Sequence, residues 1–186
     1  GIERILPAEF GAAGPLMAGK RGLIMGVAND HSIAWGIART LRRHGARLAF
    51  TYQNETLEKR VRPLAEAVDA TLVVPCQAES DDSLDAAFAA IGREWDSLDF
   101  VVHAVAYSNK DELKGRYVDT SRENFRTTMD ISCYSFTATA QRAAALMTRG
   151  GSLVTLSFLG AERVVPNYNV MGVAKAALEA SVRYLA

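Results

Sequence analysis

Tyr168 and Lys175 are two side chains in this sequence that could carry out chemistry together. They stand seven positions apart in NYNVMGVAK, residues 167–175, and seven residues of an α-helix make close to two full turns. A helix through this segment would place the phenol and the ammonium on the same face. A phenol can donate a hydrogen bond to an oxygen that becomes negative, and a nearby ammonium stabilises the same charge. The structural alternative is a half-exposed ring and a solvated charge that merely share a helix face.

A second group of candidate residues follows the first apolar run of the chain. The segment GVANDHSIAWGIA, residues 26–38, places Gly26 where a tight turn is needed and Gly36 where a helix could lie close to a sheet. The middle glycine of the usual dinucleotide fingerprint is absent, and a longer loop from Ala28 to Ser32 replaces it. Ser32 and Ile33 would lie at a helix N-terminus, where free N–H groups and the helix dipole favour a phosphate. The turn predicts a cofactor site, although such residues also occur in purely structural turns.

The carboxyl ends of later strands supply further candidates. Tyr52-Gln53-Asn54 offers neither the acidic residue that binds ribose hydroxyls nor the arginine that accepts a 2′-phosphate. Gln53 can hydrogen-bond hydroxyls without repelling a phosphate. Residues 48–58 contain no Lys or Arg, which favours NADH and leaves NADPH open. At the carboxyl end of the fourth strand lie Val105, Tyr107 and Ser108, where an α/β sheet binds its ligand.

Strand-like and helix-like patterns alternate along the chain and must position these residues. Short apolar runs predict strands at residues 21–27, 47–52, 71–76, 98–107 and 151–158. Apolar residues with helical spacing predict helices at residues 32–43, 55–68, 80–95, 120–147 and 166–186. Thr120 and Glu123 have capping-box spacing, and Pro63 predicts a break in the second helix. The alternation predicts an α/β fold, a doubly wound parallel sheet of Rossmann type in three α/β/α layers.

Composition narrows the class of protein. The chain has 186 residues, 49% of them hydrophobic, and predicts a globular fold with a substantial core. Its 21 basic and 21 acidic residues give no net charge, so we expect no nucleic-acid partner and no membrane surface. Cys76 and Cys133 lack zinc spacing and predict buried, inert thiols in a reducing cytoplasm. His103, inside an apolar run, is expected to be a core residue, and no metal site is predicted.

The chain ends at Ala186 within a helical pattern, and five strands are one fewer than the common dinucleotide-binding order has. We therefore expect further residues after Ala186 in the natural protein. Residues 1–18 are expected to form an N-terminal arm. Residues 19–186 are expected to form a dinucleotide-binding catalytic domain that is incomplete at its C-terminus.

The tyrosine–lysine spacing resembles one branch of the short-chain dehydrogenase/reductase superfamily. Most members have a tyrosine four positions before the lysine and a serine thirteen before that tyrosine, and those positions hold Met171 and Phe158 here. The Tyr-x6-Lys spacing is similar to that of the enoyl-acyl-carrier-protein reductases of bacterial fatty-acid synthesis. Four stretches resemble that family's blocks, in the same order: GVANDHSIAWGIA, LAFTYQNE, DISCYSF and LGAERVVPNYNVMGVAKAALEASVRYLA. The resemblance covers essentially the whole chain after about residue 18.

The resemblance implies reduction of a trans-2-enoyl thioester, carried by acyl-carrier protein, with NADH or alternatively NADPH. It implies that Tyr168 donates a hydrogen bond to the thioester carbonyl and that Lys175 holds the nicotinamide ribose. The implied cofactor contacts are Gly26, Ala28, Ser32, Ile33, Gln53, Gln77, Ala78, Val105 and Lys175. The implied substrate contacts are Phe158, Tyr107, Ser108, Tyr168 and Met171. A cytoplasmic homotetramer is also implied.

Three positions depart from the family's pattern. Phe158 stands where a second tyrosine is usual, Gln77 where an aspartate near the adenine is common, and Ala106 where glycine is usual. These departures leave open a paralogue that binds a nucleotide but has impaired catalysis. An ordinary short-chain ketone or alcohol dehydrogenase is the other alternative. It would be favoured if the Tyr168 hydroxyl lay out of reach of a carbonyl placed over the nicotinamide.

Overall fold

The structure, a computed structural model, describes residues 2–7 and 15–186, and the chain divides into two compact units. The sheet unit comprises Gly1–Ala104 and Arg142–Val154, and the helical unit comprises Val105–Gln141 and Thr155–Ala186. Of the expected N-terminal arm, residues 1 and 8–14 lie outside the described residues. In the described part, the Ile5 N–H donates to the Ala67 carbonyl at 2.5 Å. This stretch of the arm therefore lies beside Ala67 and is part of the sheet unit.

A parallel sheet forms the centre of the sheet unit. Its strands are β1 (Arg21–Met25), β2 (Arg47–Tyr52), β3 (Leu72–Pro75), β4 (Phe100–His103) and β5 (Ser152–Thr155), in the order β3-β2-β1-β4-β5. β1 pairs in parallel with both β2 and β4, and β2 pairs in parallel with β3. The predicted doubly wound parallel sheet is confirmed. The strands predicted at 98–107 and 151–158 are shorter than expected, because the apolar residues after His103 and Thr155 continue as irregular chain.

Of the helices in the described residues, three belong wholly to the sheet unit: α1 (Ile33–Arg43), α2 (Glu55–Ala67) and α3 (Asp81–Glu94). Asn54 and Ser80 cap α2 and α3 by accepting backbone N–H groups with their side-chain oxygens. Trp35 of α1 is buried, and its ring centroid lies 6.4 Å from that of Phe50 in β2. The predicted break at Pro63 is wrong, since α2 runs through it.

The helical unit contains α4 (Arg122–Met129), a π-helical turn (Asp130–Tyr134), most of α5 (Ser135–Leu146) and α6 (Asn169–Leu185). The single helix predicted over 120–147 is therefore interrupted by a turn of wider winding. Apolar spacing does not reveal such a turn, because one extra residue per turn leaves a helical pattern on both sides. Within the described ranges 2–7 and 15–186, no helix combines the length and apolar character needed to cross a bilayer.

The cap of α4 differs from the predicted capping box. Ser121, not Thr120, is the N-cap, and its hydroxyl accepts the Asn124 N–H at 3.0 Å. The Glu112 carboxylate accepts from the Ser121 backbone N–H at 2.6 Å and from its hydroxyl at 3.0 Å. Glu112, from a preceding 3-10 helix (Lys110–Leu113), thus does what Glu123 would do in a capping box. The prediction fails because tertiary structure supplies the carboxylate.

Candidate active site

The turn after β1 requires glycine at its first position. Gly26 has φ +99°, and a Cβ there would lie 1.9 Å from the Ala104 carbonyl oxygen. Both the conformation and the space exclude any side chain. The close approach brings the backbone after β1 against the backbone after β4, where the strand order changes direction. Open α/β sheets bind their ligands at such points.

Ser32 closes the loop that follows this turn. Its Oγ accepts the N–H groups of Ala28 at 3.0 Å and Asn29 at 3.1 Å, which leaves its own hydrogen to donate to another group. α1 begins at Ile33, whose N–H belongs to the first helical turn and has no intrahelical acceptor. A hydroxyl donor, free N–H groups and the positive end of the helix dipole therefore come together, and this arrangement fits an anion such as a pyrophosphate.

Gly36 does not have the packing role that the fingerprint predicts. A Cβ at Gly36 would meet no neighbouring atom within 4 Å. α1 instead buries Ala34 and Ala38. The prediction is wrong because the short side chains that let this helix pack closely are those alanines, on another face.

Gln53, Gln77 and Ala78 lie at the carboxyl ends of β2 and β3. The two glutamines are exposed and Ala78 is half-buried. The Gln77 backbone N–H donates to the Ser83 hydroxyl at 2.8 Å, which joins the turn after β3 to the start of α3. Both amide side chains are accessible at the edge where a nucleotide is expected, and their contacts with it stay a prediction.

His103, Cys76 and Cys133 are all buried. Burial raises the pKa of the Cys76 thiol to about 11, so this thiol stays protonated near neutral pH. Among the described residues, no group of three or more His, Cys, Asp or Glu side chains could hold a metal ion.

In the helical unit, Tyr168 stands on a tight turn. α6 begins at Asn169, so the predicted helix over 166–186 starts too early, and Tyr168 immediately precedes it. Asn167 and Asn169 have φ +61° and +35°. Asparagine tolerates this left-handed region better than most residues with a Cβ. The turn, and not a seven-residue helical spacing, therefore determines the direction of the Tyr168 side chain relative to Lys175.

Asn169 fastens this turn to the 3-10 helix that contains Glu112 and to the two residues after its end. Its side-chain amide lies 3.3 to 3.4 Å from the carbonyl oxygens of Glu112, Lys114 and Gly115, to which it donates. Helical periodicity did not single out this residue. The available signal was the pair of asparagines on either side of Tyr168, since asparagine is common at left-handed positions.

The Tyr168 ring packs in a narrow slot. Its centroid lies 4.9 Å from that of Phe158, with the planes tilted by 58°. A Cβ at Gly160 would lie 2.4 Å from Cδ2 of the Tyr168 ring, and a Cβ at Gly172 would lie 2.7 Å from the Gly160 carbonyl oxygen. The two glycines let the backbone pass directly beneath the ring, so this position has no room for a side chain.

The Tyr168 hydroxyl is a protonated donor. Burial raises the pKa of this phenol above its ordinary value, so it keeps its proton near neutral pH. Among the residues that the structure describes, none forms a hydrogen bond with this hydroxyl. The group is held in position by its ring and can donate to an external acceptor.

Lys175 is a buried cation, with only 8% of its surface exposed. Its Nζ donates to the Leu156 carbonyl at 2.9 Å, and no carboxylate of residues 2–7 or 15–186 lies within ion-pair distance of it. Burial lowers the pKa of this ammonium, because the charged form loses solvation. Two of its three N–H donors remain for a ligand. A buried ammonium without a counter-charge is unfavourable for folding and is typical of functional sites.

The predicted substrate contacts divide into exposed and buried residues. Phe158 and Tyr107 expose about half of their surface, at 48% and 52%. Met171 and Ser108 are buried, and Val105 is half-buried. Phe158 and Tyr107 therefore offer ring surface to a ligand in this structure, whereas Met171 and Ser108 expose only 8% and 7% of their surface, and their contacts with substrate stay a prediction.

Comparison with known proteins identifies the family of this chain. The family model described as enoyl-(acyl carrier protein) reductase matches residues 26–186. The chain is 64% identical over 171 residues to enoyl-[acyl-carrier-protein] reductase [NADH] 2 of Rhizobium meliloti, a match that covers 92% of this chain and 64% of that protein. The chain thus spans somewhat less than two thirds of the length of this curated relative.

Solved structures give the same result. The enoyl-(acyl-carrier-protein) reductase of Anaplasma phagocytophilum, in complex with NAD, superposes with a TM-score of 0.90 at 62% identity, covering 92% of this chain and 66% of that one. The Bacillus cereus enoyl-acyl carrier protein reductase, with NADP+ and indole naphthyridinone, has a TM-score of 0.90 at 53% identity, covering 92% and 67%. The match of the family model to most of the chain, together with these similarities, shows that the chain belongs to the enoyl-(acyl carrier protein) reductase family.

Proposed function

We propose that the protein reduces trans-2-enoyl-acyl-carrier-protein thioesters with NADH during fatty-acid elongation. The observation that carries the proposal is the Tyr168 turn, which holds a protonated and unpaired phenol in the same unit as the buried Lys175 ammonium. This turn lies in a chain of the enoyl reductase family. An ordinary dehydrogenase would instead have a tyrosine at position 171, which is a buried methionine here.

NADH is the proposed cofactor, and it supplies the hydride when bound. The relative from Rhizobium meliloti is named for NADH, and the absence of Lys and Arg from residues 48–58 agrees with a cofactor that lacks a 2′-phosphate. NADPH remains the alternative, since the Bacillus cereus structure contains NADP+.

The residues after β1 fit the pyrophosphate of such a cofactor. Gly26 makes the tight turn that passes against the Ala104 carbonyl, and the Ser32 hydroxyl and the Ile33 N–H supply donors. Lys175 would bind the ribose hydroxyls with the two N–H groups that Leu156 does not use. The other proposed cofactor contacts are Ala28, Gln53, Gln77, Ala78 and Val105.

Tyr168 is the proposed electrophile for the thioester. Hydride addition at the β carbon moves negative charge onto the carbonyl oxygen, and a hydrogen bond to that oxygen stabilises the transition state more than the substrate. The raised pKa of Tyr168 suits a donor that must remain protonated. The proposed substrate contacts around it are Phe158, Met171, Tyr107 and Ser108.

We also propose the assembly and location that the family resemblance implies. The acyl chain would arrive on acyl-carrier protein, and the enzyme would be a homotetramer in the cytoplasm. Exposed apolar residues on the surface of α6, Val173 and Val182, are compatible with a subunit contact.

The test is oxidation of NADH by crotonyl thioester in the native protein that carries this chain. Tyr168→Phe should lower kcat by about 10²-fold to 10³-fold, the usual loss for one oxyanion donor, and should leave NADH binding nearly unchanged. Lys175→Ala should impair both. Tyr184→Phe, which removes the hydroxyl of an almost fully exposed tyrosine on α6, is the matched control.

Two outcomes would reject the proposal. A wild-type protein that binds NADH but does not oxidise it with the thioester would favour a nucleotide-binding paralogue. A Tyr168→Phe protein as active as Tyr184→Phe would show that the phenol is not the donor.

A further inference from the structure

A buried polar ladder in the helical unit holds the segment that follows β4. We define the ladder as Asn124, Thr128 and Ser132, which stand four residues apart and are 5%, 0% and 0% exposed. None of the three is among the residues proposed above to touch cofactor or substrate. Buried polar side chains are unfavourable unless they are hydrogen-bonded, so their partners indicate what they do.

Ser132 binds both backbone groups of a single residue, Tyr107. Its hydroxyl accepts the Tyr107 N–H at 2.9 Å and donates to the Tyr107 carbonyl, also at 2.9 Å. One side chain thus satisfies both backbone groups of a residue that belongs to neither helix nor strand. The Tyr107 side chain itself is half-exposed.

Thr128 and Asn124 bind the next two residues. The Thr128 hydroxyl donates to the Ser108 hydroxyl at 2.8 Å. Asn124 donates from Nδ2 to the Ser108 hydroxyl at 3.1 Å and accepts the Asn109 N–H at 3.0 Å. Three successive residues, 107 to 109, are therefore each held by one or two members of the ladder.

The π-helical turn explains how Ser132 reaches Tyr107. In an α-helix each step of four residues rotates the side chain by about 40°, so three such residues would fan out around the helix. The step from Thr128 to Ser132 enters the π turn that begins at Asp130. This turn has more residues per turn, so the rotation over four residues is smaller and Ser132 stays on the side of Thr128.

The segment that the ladder holds follows β4, at the point of the sheet where a ligand is expected and where the backbone must be placed accurately. Residues 104–109 continue directly from β4, whose end meets the Gly26 turn at the change of strand direction. An apolar stripe would pack the helix equally well, whereas a fully bonded polar ladder specifies one backbone position. We propose that Ser132 is a positioning residue for cofactor binding: it fixes the backbone of Tyr107 so that segment 105–109 contacts the nicotinamide cofactor. This inference rests on the proposed function.

The test compares Ser132→Ala with a matched control in the native protein. Ser135→Ala is the control, because Ser135 is also fully buried but its hydroxyl donates to the Ile131 carbonyl of its own helical segment. Ser132→Ala should raise the NADH dissociation constant and the KM for NADH about tenfold, as expected when about one net hydrogen bond is lost, and change kcat less than about threefold. Amide hydrogen exchange at Tyr107 should accelerate, and Ser132→Thr should restore both properties.

The outcomes separate this inference from the proposed function. NADH affinity and Tyr107 exchange are measured without turnover, so they test Ser132 even if crotonyl thioester is not reduced. Equal NADH affinity in Ser132→Ala and Ser135→Ala would overturn the inference, as would a Ser132→Thr protein that is not restored. If Ser132→Ala does not fold, Thr128→Val removes the next member with little change of shape. It should weaken NADH about threefold, and unchanged affinity would equally overturn the inference.

Discussion

Gly160 offers a direct test of how closely Tyr168 must be placed. Gly160→Ala adds one methyl group beneath the ring, 2.4 Å from Cδ2 and 2.8 Å from Cε2 of Tyr168. Gly160 does not have a left-handed φ, so alanine is compatible with its backbone and the substitution tests space alone. Because the turn of Asn167 and Asn169 holds the other end of the residue, we expect the ring to move rather than the backbone.

The size of the effect follows from the size of the overlap. Carbon atoms in contact prefer a separation of about 3.5 to 4.0 Å, so the ring must shift by at least about 1 Å. A misplacement of about 1 Å can cost about 10²-fold in rate, which is about 2.7 kcal/mol of transition-state stabilisation. NADH binding should change little, because Lys175, Ser32 and the turn at Gly26 are untouched.

The assay is steady-state oxidation of NADH by crotonyl thioester, with NADH affinity measured separately by fluorescence. Gly36→Ala is the matched control, since a Cβ there meets no neighbouring atom within 4 Å, and it should retain the wild-type kcat. A Gly160→Ala protein with wild-type kcat would refute the reasoning that ring position sets the rate. A Gly160→Ala protein that loses thermal stability together with kcat would instead have a general packing defect. That result would also contradict the prediction.

Three further predictions concern pH, packing and stability. Because burial lowers the pKa of Lys175 from 10.5, the ammonium is lost as pH rises through a range below that value. NADH affinity titrated upward from about pH 7 should fall there, and Lys175→Ala should abolish this pH dependence. Phe158→Ala should lower kcat up to about tenfold, the loss of one aromatic pair, whereas Phe158→Tyr should keep the ring contact and the rate; equal rates in all three would contradict this. Gly36→Ala should raise the unfolding free energy by about 1 kcal/mol in a denaturant titration. A lower unfolding free energy would contradict this and would show that the added methyl group clashes with neighbouring atoms.

Local sequence patterns determined the architecture and the identity of the candidate groups. Apolar runs and helical spacing are properties of neighbouring residues, so the alternation of strands and helices could be read directly. The Gly26 turn and the start of α1 after Ser32 were likewise local. The types and spacing of Tyr168 and Lys175 also pointed to the family that the comparisons confirm.

Tertiary structure alone decided how those groups are held. The Asn169 amide reaches Glu112, 57 residues earlier, and Lys175 donates to Leu156, 19 residues earlier. Such pairs produce no periodic pattern in the sequence. The sequence pattern therefore predicted a helix through Tyr168, where the structure has a turn with left-handed residues on either side. The hydrogen bonds from Ser121 to the Glu112 carboxylate, and those of the ladder that begins at Asn124, likewise join residues that are distant in the sequence. Hydrogen bonds between distant residues override local propensity wherever burial makes an unpaired polar group too costly.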